Sequence, residues 1–213
     1  MTKIGFVGFG SMGGVLIRSL LDADALSEEQ VVVTTRTREK LNDFVNRYPR
    51  VEIAPTVAEL GARCGRVFVC TGTMEAKGVI AELARCLPAN AHVVTTTGNI
   101  EIKAVESVFS GKVTKIMPTQ LCEIGEGVTL VCHNAKVLPQ DREFIDSMLG
   151  AIGTVKNIDE SRFGLADDLT SCAPAFFASI LRNLAEVARQ HGSLTDAELT
   201  EMVFGRATVL PGS

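Results

Sequence analysis

The chain has no long apolar segment, no excess of positive charge and no paired cysteine motif. Its longest hydrophobic runs fall well short of the ~18 residues a spanning helix needs, so a membrane-embedded protein is not expected. Twenty-one Lys and Arg against twenty-five Asp and Glu give a formal charge of −4, a poor balance for nonspecific nucleic-acid or anionic-membrane binding. Six cysteines (Cys64, Cys70, Cys86, Cys122, Cys132 and Cys172) contain no C-x-x-C, and 213 residues can bury a core without disulfide staples. The opening Met1–Val7 has no signal-peptide apolar region. A reduced, cytoplasmic protein is the expectation. The hydrophobic fraction of 46% and charged fraction of 22% exclude wholesale disorder.

Strand-like and helix-like stretches alternate. KIGFVG at Lys3–Gly8 is a short apolar run ending in glycine, and Met12, Val15, Leu16, Ser19 and Leu20 follow at helical spacing. Val31–Val33 precedes a polar helix over Arg38–Tyr48, RVFVCT at Arg66–Thr71 precedes a helix over Ala76–Leu87, and HVVTTT occupies His92–Thr97. Further strands are expected at Val113–Met117, Val128–Cys132 and Thr154–Ile158, with a helix over Asp141–Leu149. Runs such as VVV are apolar on both faces, as strands buried in a parallel sheet must be. The pattern predicts an α/β fold with a doubly wound, mostly parallel sheet.

After about Asp159 the strand signal stops. Phe176, Phe177, Ile180, Leu181, Leu184, Ala185, Val187 and Ala188 keep helical spacing, His191-Gly192-Ser193 reads as a stop, and Thr195-Asp196-Ala197-Glu198 as a capped helix start. The expectation is a nucleotide-binding domain over residues 1–159 and a helical piece over 160–213. Two amphipathic helices bury little alone, so self-association through them, as a dimer or larger, is expected.

Gly8-Phe9-Gly10-Ser11-Met12-Gly13 matches G-x-G-x-x-G between a strand and a helix, the context in which that motif binds dinucleotides. Gly8 allows the tight turn, Gly10 the approach of a pyrophosphate to backbone, and Gly13 close packing of helix on sheet. At the end of the second strand an NAD site normally carries Asp or Glu. Here Thr34-Thr35-Arg36-Thr37-Arg38 holds no acid until Glu39, and hydroxyls with a guanidinium suit a 2′-phosphate. NADP, with NADPH preferred over NADH, is therefore the expected cofactor. Thr71, Gly72, Thr97 and Gly98 end two more strands and should face the same cleft. The expected cofactor residues are thus Gly8, Gly10, Ser11, Met12, Gly13, Thr35, Arg36, Thr37, Thr71, Gly72, Thr97 and Gly98.

Other chemistries fit poorly. Cys132 and His133 are adjacent on a predicted strand and point to opposite faces. His92 and His191 have no ligand at metal spacing, so no metal site is expected. No G-x-S-x-G elbow occurs.

With these motifs in place the chain resembles the pyrroline-5-carboxylate reductase family. KIGFVGFGSMG is similar to that family's opening, MPTQLCEIGEGVTL from Met117 resembles its Met-Pro-Asn-Thr-Pro…Val-Gly-Glu-Gly, and LTSCAPAFF at Leu169–Phe177 resembles its Leu-Ser-Gly-Ser-Gly-Pro-Ala-Tyr. The resemblance implies a Rossmann domain, a helical dimerisation domain and NAD(P)H-dependent reduction of Δ1-pyrroline-5-carboxylate to L-proline, in proline biosynthesis. It would place Met117 and Pro118 at the floor of the cleft and Thr119 nearest the reacting atoms, a substrate-side trio in which Thr119 is the one catalytic candidate. Thr71-Gly72-Thr73 stands where the family has Val-Lys-Pro, and Thr119-Gln120-Leu121 where it has Asn-Thr-Pro. The sequence given ends at Ser213, before the family's Ser-Pro-Gly-Gly-Thr-Thr segment, so the helical piece is expected to be partial. Ser-x-x-Pro-Ala-Phe-Phe and the Thr-Arg-Thr after the second strand also resemble the family's late-competence relatives, which leaves open a dinucleotide-binding regulatory protein without turnover. A third alternative is another NADP-dependent oxidoreductase. The β-hydroxyacid type, which carries a catalytic lysine on a later helix, is opposed by the absence of lysine from Ser161 to Ser213.

Overall fold

A computed structural model describes residues 3–192 together with Thr195, Ala197, Glu198, Glu201 and Met202. Eight strands form one sheet: β1 (Ile4–Val7), β2 (Val31–Thr34), β3 (Glu52–Ile53), β4 (Arg66–Val69), β5 (His92–Thr95), β6 (Lys112–Pro118), β7 (Gly127–His133) and β8 (Gly153–Asn157). Their order is β3-β2-β1-β4-β5-β6-β7-β8. Strands β1 to β6 run parallel, β7 pairs antiparallel with β6, and β8 runs parallel to β7. The order reverses between β1 and β4, where a doubly wound sheet opens its binding crevice.

The helices are α1 (Ser11–Asp22), α2 (Asn42–Arg47), α3 (Val57–Arg63), α4 (Thr73–Leu83), α5 (Ile102–Glu106), α6 (Pro139–Gly150), α7 (Phe163–Asp167) and α8 (Ala173–His191). Strand alternation sorts the apolar residues into two cores. Ile4, Phe6, Val31, Val33, Phe68 and Val94 face one side and pack with Leu16 and Leu20 of α1, Phe44 of α2 and Ile145 of α6. Val7, Val32, Val67, Val69, Val93 and Val113 face the other and pack with Leu60 of α3, Ile80 and Leu83 of α4 and Val105 of α5. Phe6 and Phe68 stack at 4.8 Å between ring centres on neighbouring β1 and β4, and truncating either would cost about 3–5 kcal/mol. The Rossmann-type sheet expected from the sequence is the observed one.

Three short elements escape the periodicity reading: β3, α3 and α5. Strand β3 is a two-residue edge. Helix α3 starts at Thr56, whose Oγ1 accepts the Glu59 amide at 3.1 Å.

The first compact unit extends to Ala166, and the second comprises residues 167–213. The unit's end lies beyond the expected 159 because Phe163 is buried, with the Lys115 ammonium 4.8 Å from its ring centre, and Lys115 also pairs with Glu160 at 3.3 Å. In the second unit, a π-helical turn at Asp168–Cys172 leads into α8. Pro174 has no amide to donate and its ring crowds the carbonyl four residues back, which favours such a widened turn. Phe176, Phe177, Ile180, Leu184 and Val187 are exposed along α8. Thr195 and Glu198 form the expected reciprocal cap, each amide donating to the other's side chain at 2.8 and 3.3 Å. Ser193 and Asp196 of the expected stop and cap lie outside the described residues. Among the described residues, no helix is long and apolar enough to cross a membrane.

Candidate functional site

The carboxyl ends of β1, β2 and β4 open into a cleft of about 410 Å³. Gly8 leaves β1 at φ +102°, a conformation L side chains rarely adopt, and a Cβ there would lie 2.7 Å from the Cys70 carbonyl oxygen. A Cβ on Gly13 would lie 2.5 Å from the Gly8 carbonyl oxygen, so this close seating of α1 requires glycine. Gly10 differs: a Cβ built there meets no atom within 4 Å, and the same holds for Gly72 at the start of α4. Both glycines line the cleft.

Gly10 caps α1 without a side-chain acceptor, and α1 has no acidic residue in its first turn. Its first intrahelical bond runs from Gly14 N–H to the Gly10 carbonyl at 2.8 Å. The amides of Ser11, Met12 and Gly13 therefore have no acceptor within the helix, and the helix dipole adds partial positive charge at this end. At the neighbouring strand end the Thr71 hydroxyl is buried without a partner, a state that normally calls for a ligand or water. Orphaned donors, an open cradle over Gly10 and Gly72, and cations at the mouth fit a dinucleotide diphosphate.

Thr34, Thr35, Arg36 and Thr37 from the end of β2 line the cleft, joined by Lys40, Pro55 and Thr56. Arg38 points elsewhere, donating to the Pro55 carbonyl at 3.2 Å. Arg36, 85% exposed, is paired with Glu75 of α4 at 2.7 Å. The sequence reading missed Lys40 and Glu75. Lys40 stood in the polar stretch after Arg38, whereas Glu75 follows a different strand and meets Arg36 only through the fold. Cys70 also lines the cleft, and burial pushes its thiol up to about 12, which excludes thiolate chemistry there.

Of the other expected residues, Thr97 donates its hydroxyl to the Thr71 carbonyl at 3.3 Å, which fixes the β5 end to the β4 end. Gly98 adjoins the Met117 methyl, which occupies the space a side chain at Gly98 would need. Neither of these, nor Ser11, Met12, Gly13, Met117, Pro118 or Thr119, is among the residues lining the cleft itself. Ser11 is nevertheless tied to the Met117 segment, since Gln120 donates to its hydroxyl at 3.0 Å. Thr119, the catalytic candidate, directly follows β6. It is buried, and its Oγ1 accepts the Val128 amide at 3.1 Å while its own amide donates to the Val128 carbonyl. Its hydroxyl thus braces the β6–β7 connection as an acceptor and keeps its own proton to donate.

At the opposite end of the sheet, Arg66, His92 and Lys112 begin β4, β5 and β6. Asp141, in the first turn of α6, accepts from Arg66 at 3.1 Å and Lys112 at 2.7 Å. Burial works to raise the Asp141 carboxyl, but the Lys112 hydrogen bond and the surrounding cations bring it below the usual range. His92 Nε2 shares a 2.7 Å contact with Thr114 Oγ1, which is 2.8 Å from His133 Nδ1. Burial, then the Arg66 charge, push His92 down to about 3. His92 is thus a neutral, partnered core residue. Cys132 packs into the apolar core while His133 joins this polar chain, as opposite strand faces require. Among the described residues no group of three or more His, Cys, Asp or Glu could hold a metal.

Comparison with known proteins returns the likeness that the motifs carried. Residues 3–99 match the family described as NADP oxidoreductase coenzyme F420-dependent. The chain is 27% identical to pyrroline-5-carboxylate reductase 3 of Bacillus subtilis over 205 residues, covering 96% of this chain and 75% of that protein. It is 24% identical to ComE operon protein 4 of the same organism, covering 98% and 78%. Among solved structures, a pyrroline-5-carboxylate reductase from Coxiella burnetii aligns with TM-score 0.86 at 21% identity, covering 97% of this chain and 78% of the other. The Plasmodium falciparum pyrroline carboxylate reductase with NADP bound aligns with TM-score 0.84 at 20% identity, covering 97% and 76%. At these identities the structural likeness establishes the fold. The chain is similar, nearly end to end, to pyrroline-5-carboxylate reductases and to ComE operon protein 4.

Proposed function

We propose that this protein is an NADPH-dependent oxidoreductase that reduces a cyclic imine of the Δ1-pyrroline-5-carboxylate type. The observation that carries the reading is the open cradle over the amino end of α1, flanked by Arg36 and Lys40 and lacking an acid at the end of β2. The unpaired amides of Ser11, Met12 and Gly13 would hold the diphosphate, Gly10 and Gly72 leave room for it, and the Thr71 hydroxyl is a donor awaiting an acceptor. Arg36, Lys40, Thr35 and Thr37 would receive a 2′-phosphate. The cofactor, when bound, supplies a hydride for the C=N carbon. The protein's share is orientation: Thr97 fixes the β5 end to the β4 end, and the Gly98–Met117 contact sets the β6 end beside it. A relative that binds NADP in its solved structure and the names of the curated relatives support this reading.

One observation favours a second reading. Thr71-Gly72-Thr73 stands where the reductases carry Val-Lys-Pro. A regulatory protein that binds NADPH without turnover would keep the cradle and lose the chemistry. Absorbance at 340 nm with NADPH and pyrroline-5-carboxylate, paired with a fluorescence titration of NADPH alone, separates the two. Binding with oxidation supports the reductase, binding without oxidation supports the regulatory reading, and absence of binding overturns both.

A further inference from the structure

The end of β2 carries no acid, yet a carboxylate reaches it from elsewhere in the fold. Glu75 stands in the first turn of α4, and its Oε1 lies 2.7 Å from an Arg36 guanidinium nitrogen. Both side chains line the cleft, beside Lys40 and the Thr35 and Thr37 positions. Arg36 is 85% exposed and Glu75 42%, so the contact is solvated and can exchange partners at little cost. A guanidinium cannot be shared freely between this carboxylate and an incoming phosphate, because the two anions repel and Arg36 presents one planar fork. An unphosphorylated ribose brings no such conflict, since a ribose hydroxyl can donate to a carboxylate that stays on Arg36.

Resting on the dinucleotide reading above, we propose that Glu75 is a specificity-determining residue that sets how strongly the site prefers the 2′-phosphorylated cofactor. In the free protein Glu75 occupies the arginine that the 2′-phosphate needs. NADPH must displace it, whereas NADH leaves the pair in place and gains an acceptor. Glu75 thus moderates the preference that Arg36 and Lys40 create. The acid that such sites usually carry at the end of β2 is here supplied from the helix after β4, at a charge-paired distance from the arginine that opposes it.

The test is a titration of NADPH and NADH against the whole chain, as wild type, Glu75→Gln, Glu75→Asp, Arg36→Ala and the Arg36→Ala/Glu75→Gln double variant. Glu75→Gln should tighten NADPH about two- to fivefold, the range a solvated charge contributes, while NADH stays level or weakens. Glu75→Asp, which keeps the charge, should stay closer to wild type. The Glu75→Gln gain for NADPH should shrink by at least about twofold when Arg36 is already alanine. Raising salt should narrow the gap between wild type and Glu75→Gln. Equal shifts for both cofactors, or the same gain with and without Arg36, would overturn the role of Glu75 and leave the dinucleotide reading intact. Binding of neither cofactor by the folded wild type would remove that reading and this proposal with it.

Discussion

The two ends of the sheet are built from the same strands and treat polar groups in opposite ways. Where β4, β5 and β6 begin, Arg66, His92 and Lys112 all have partners: Asp141 takes two of them, Thr114 the third, and the Arg66 guanidinium also lies 3.9 Å from the centre of the Phe144 ring. Where β1 and β4 finish, three helix amides lack helical acceptors, a buried threonine hydroxyl is unpaired, and two glycines face open space. Buried polar groups are costly unless satisfied. The closed end therefore serves stability, and the open end holds hydrogen-bonding capacity in reserve for a ligand. That contrast supports the proposed site independently of the glycine motif.

Breaking the closed end should have the largest effect. Asp141→Ala leaves Arg66 and Lys112, each less than a fifth exposed, without their counter-charge, and should cost about 3 kcal/mol. Denaturant unfolding measures this, and a loss below about 1 kcal/mol would show that the network is ornamental. NADPH affinity of the folded fraction should not move.

At the open end, Gly10→Val places a side chain where the protein has no atoms within 4 Å. Stability should change by only about 1 kcal/mol, the scale of an N-cap substitution, while dinucleotide affinity falls at least about 100-fold, or about 2.7 kcal/mol. Gly13→Val, which collides with the Gly8 carbonyl, should instead lose stability and binding together. If both variants behave alike, the distinction between an open cradle and a packing glycine is wrong.

Acid should attack the closed end. His92 is held neutral, its pKa lowered from 6.5 to about 3, so between those values the unfolded chain binds a proton that the folded one refuses. Stability is then fully present above 6.5 and declines as pH falls, by about 2 kcal/mol on reaching about pH 5. His92→Gln should flatten that decline in unfolding curves recorded across the range. An unchanged slope would remove His92 as its source.

Arg36→Ala should weaken NADPH about tenfold, or about 1.4 kcal/mol, and NADH less than about twofold. Equal losses by titration would discard the 2′-phosphate argument. The smallest effect belongs to Thr71→Val, which removes an unpaired buried hydroxyl. It should leave stability level or slightly raised and cost NADPH binding only about threefold. A clear destabilisation would mean the hydroxyl already has a partner in solution.

Much of the fold is legible in the amino-acid order. Apolar runs such as Val31–Val33 and Arg66–Val69 announced buried strands, and Gly8, Gly10 and Gly13 announced the turn, because both signals are local. Strand β3 was not legible, since a two-residue, half-buried edge has no periodicity. Helix α3 did carry a local sign, Thr56 three residues before Glu59, which meet as a cap. Glu75 and Thr119 show where local reading ends. The first acquires its meaning from an arginine on another βα unit, and the second takes a hairpin bond from the Val128 amide. Both contacts are made by the folded chain and are not encoded in residue spacing.

The bond from Gln120 to Ser11 joins residues 109 positions apart, and Arg18 adds a second strut to Glu123 at 3.5 Å. Together they lash the bend after β6 to the coil of α1 like a splint. Whatever steadies that coil should steady the bend as well, so nucleotide arrival ought to register as slowed deuterium uptake at residues 120–124, a stretch with no direct hold on the diphosphate.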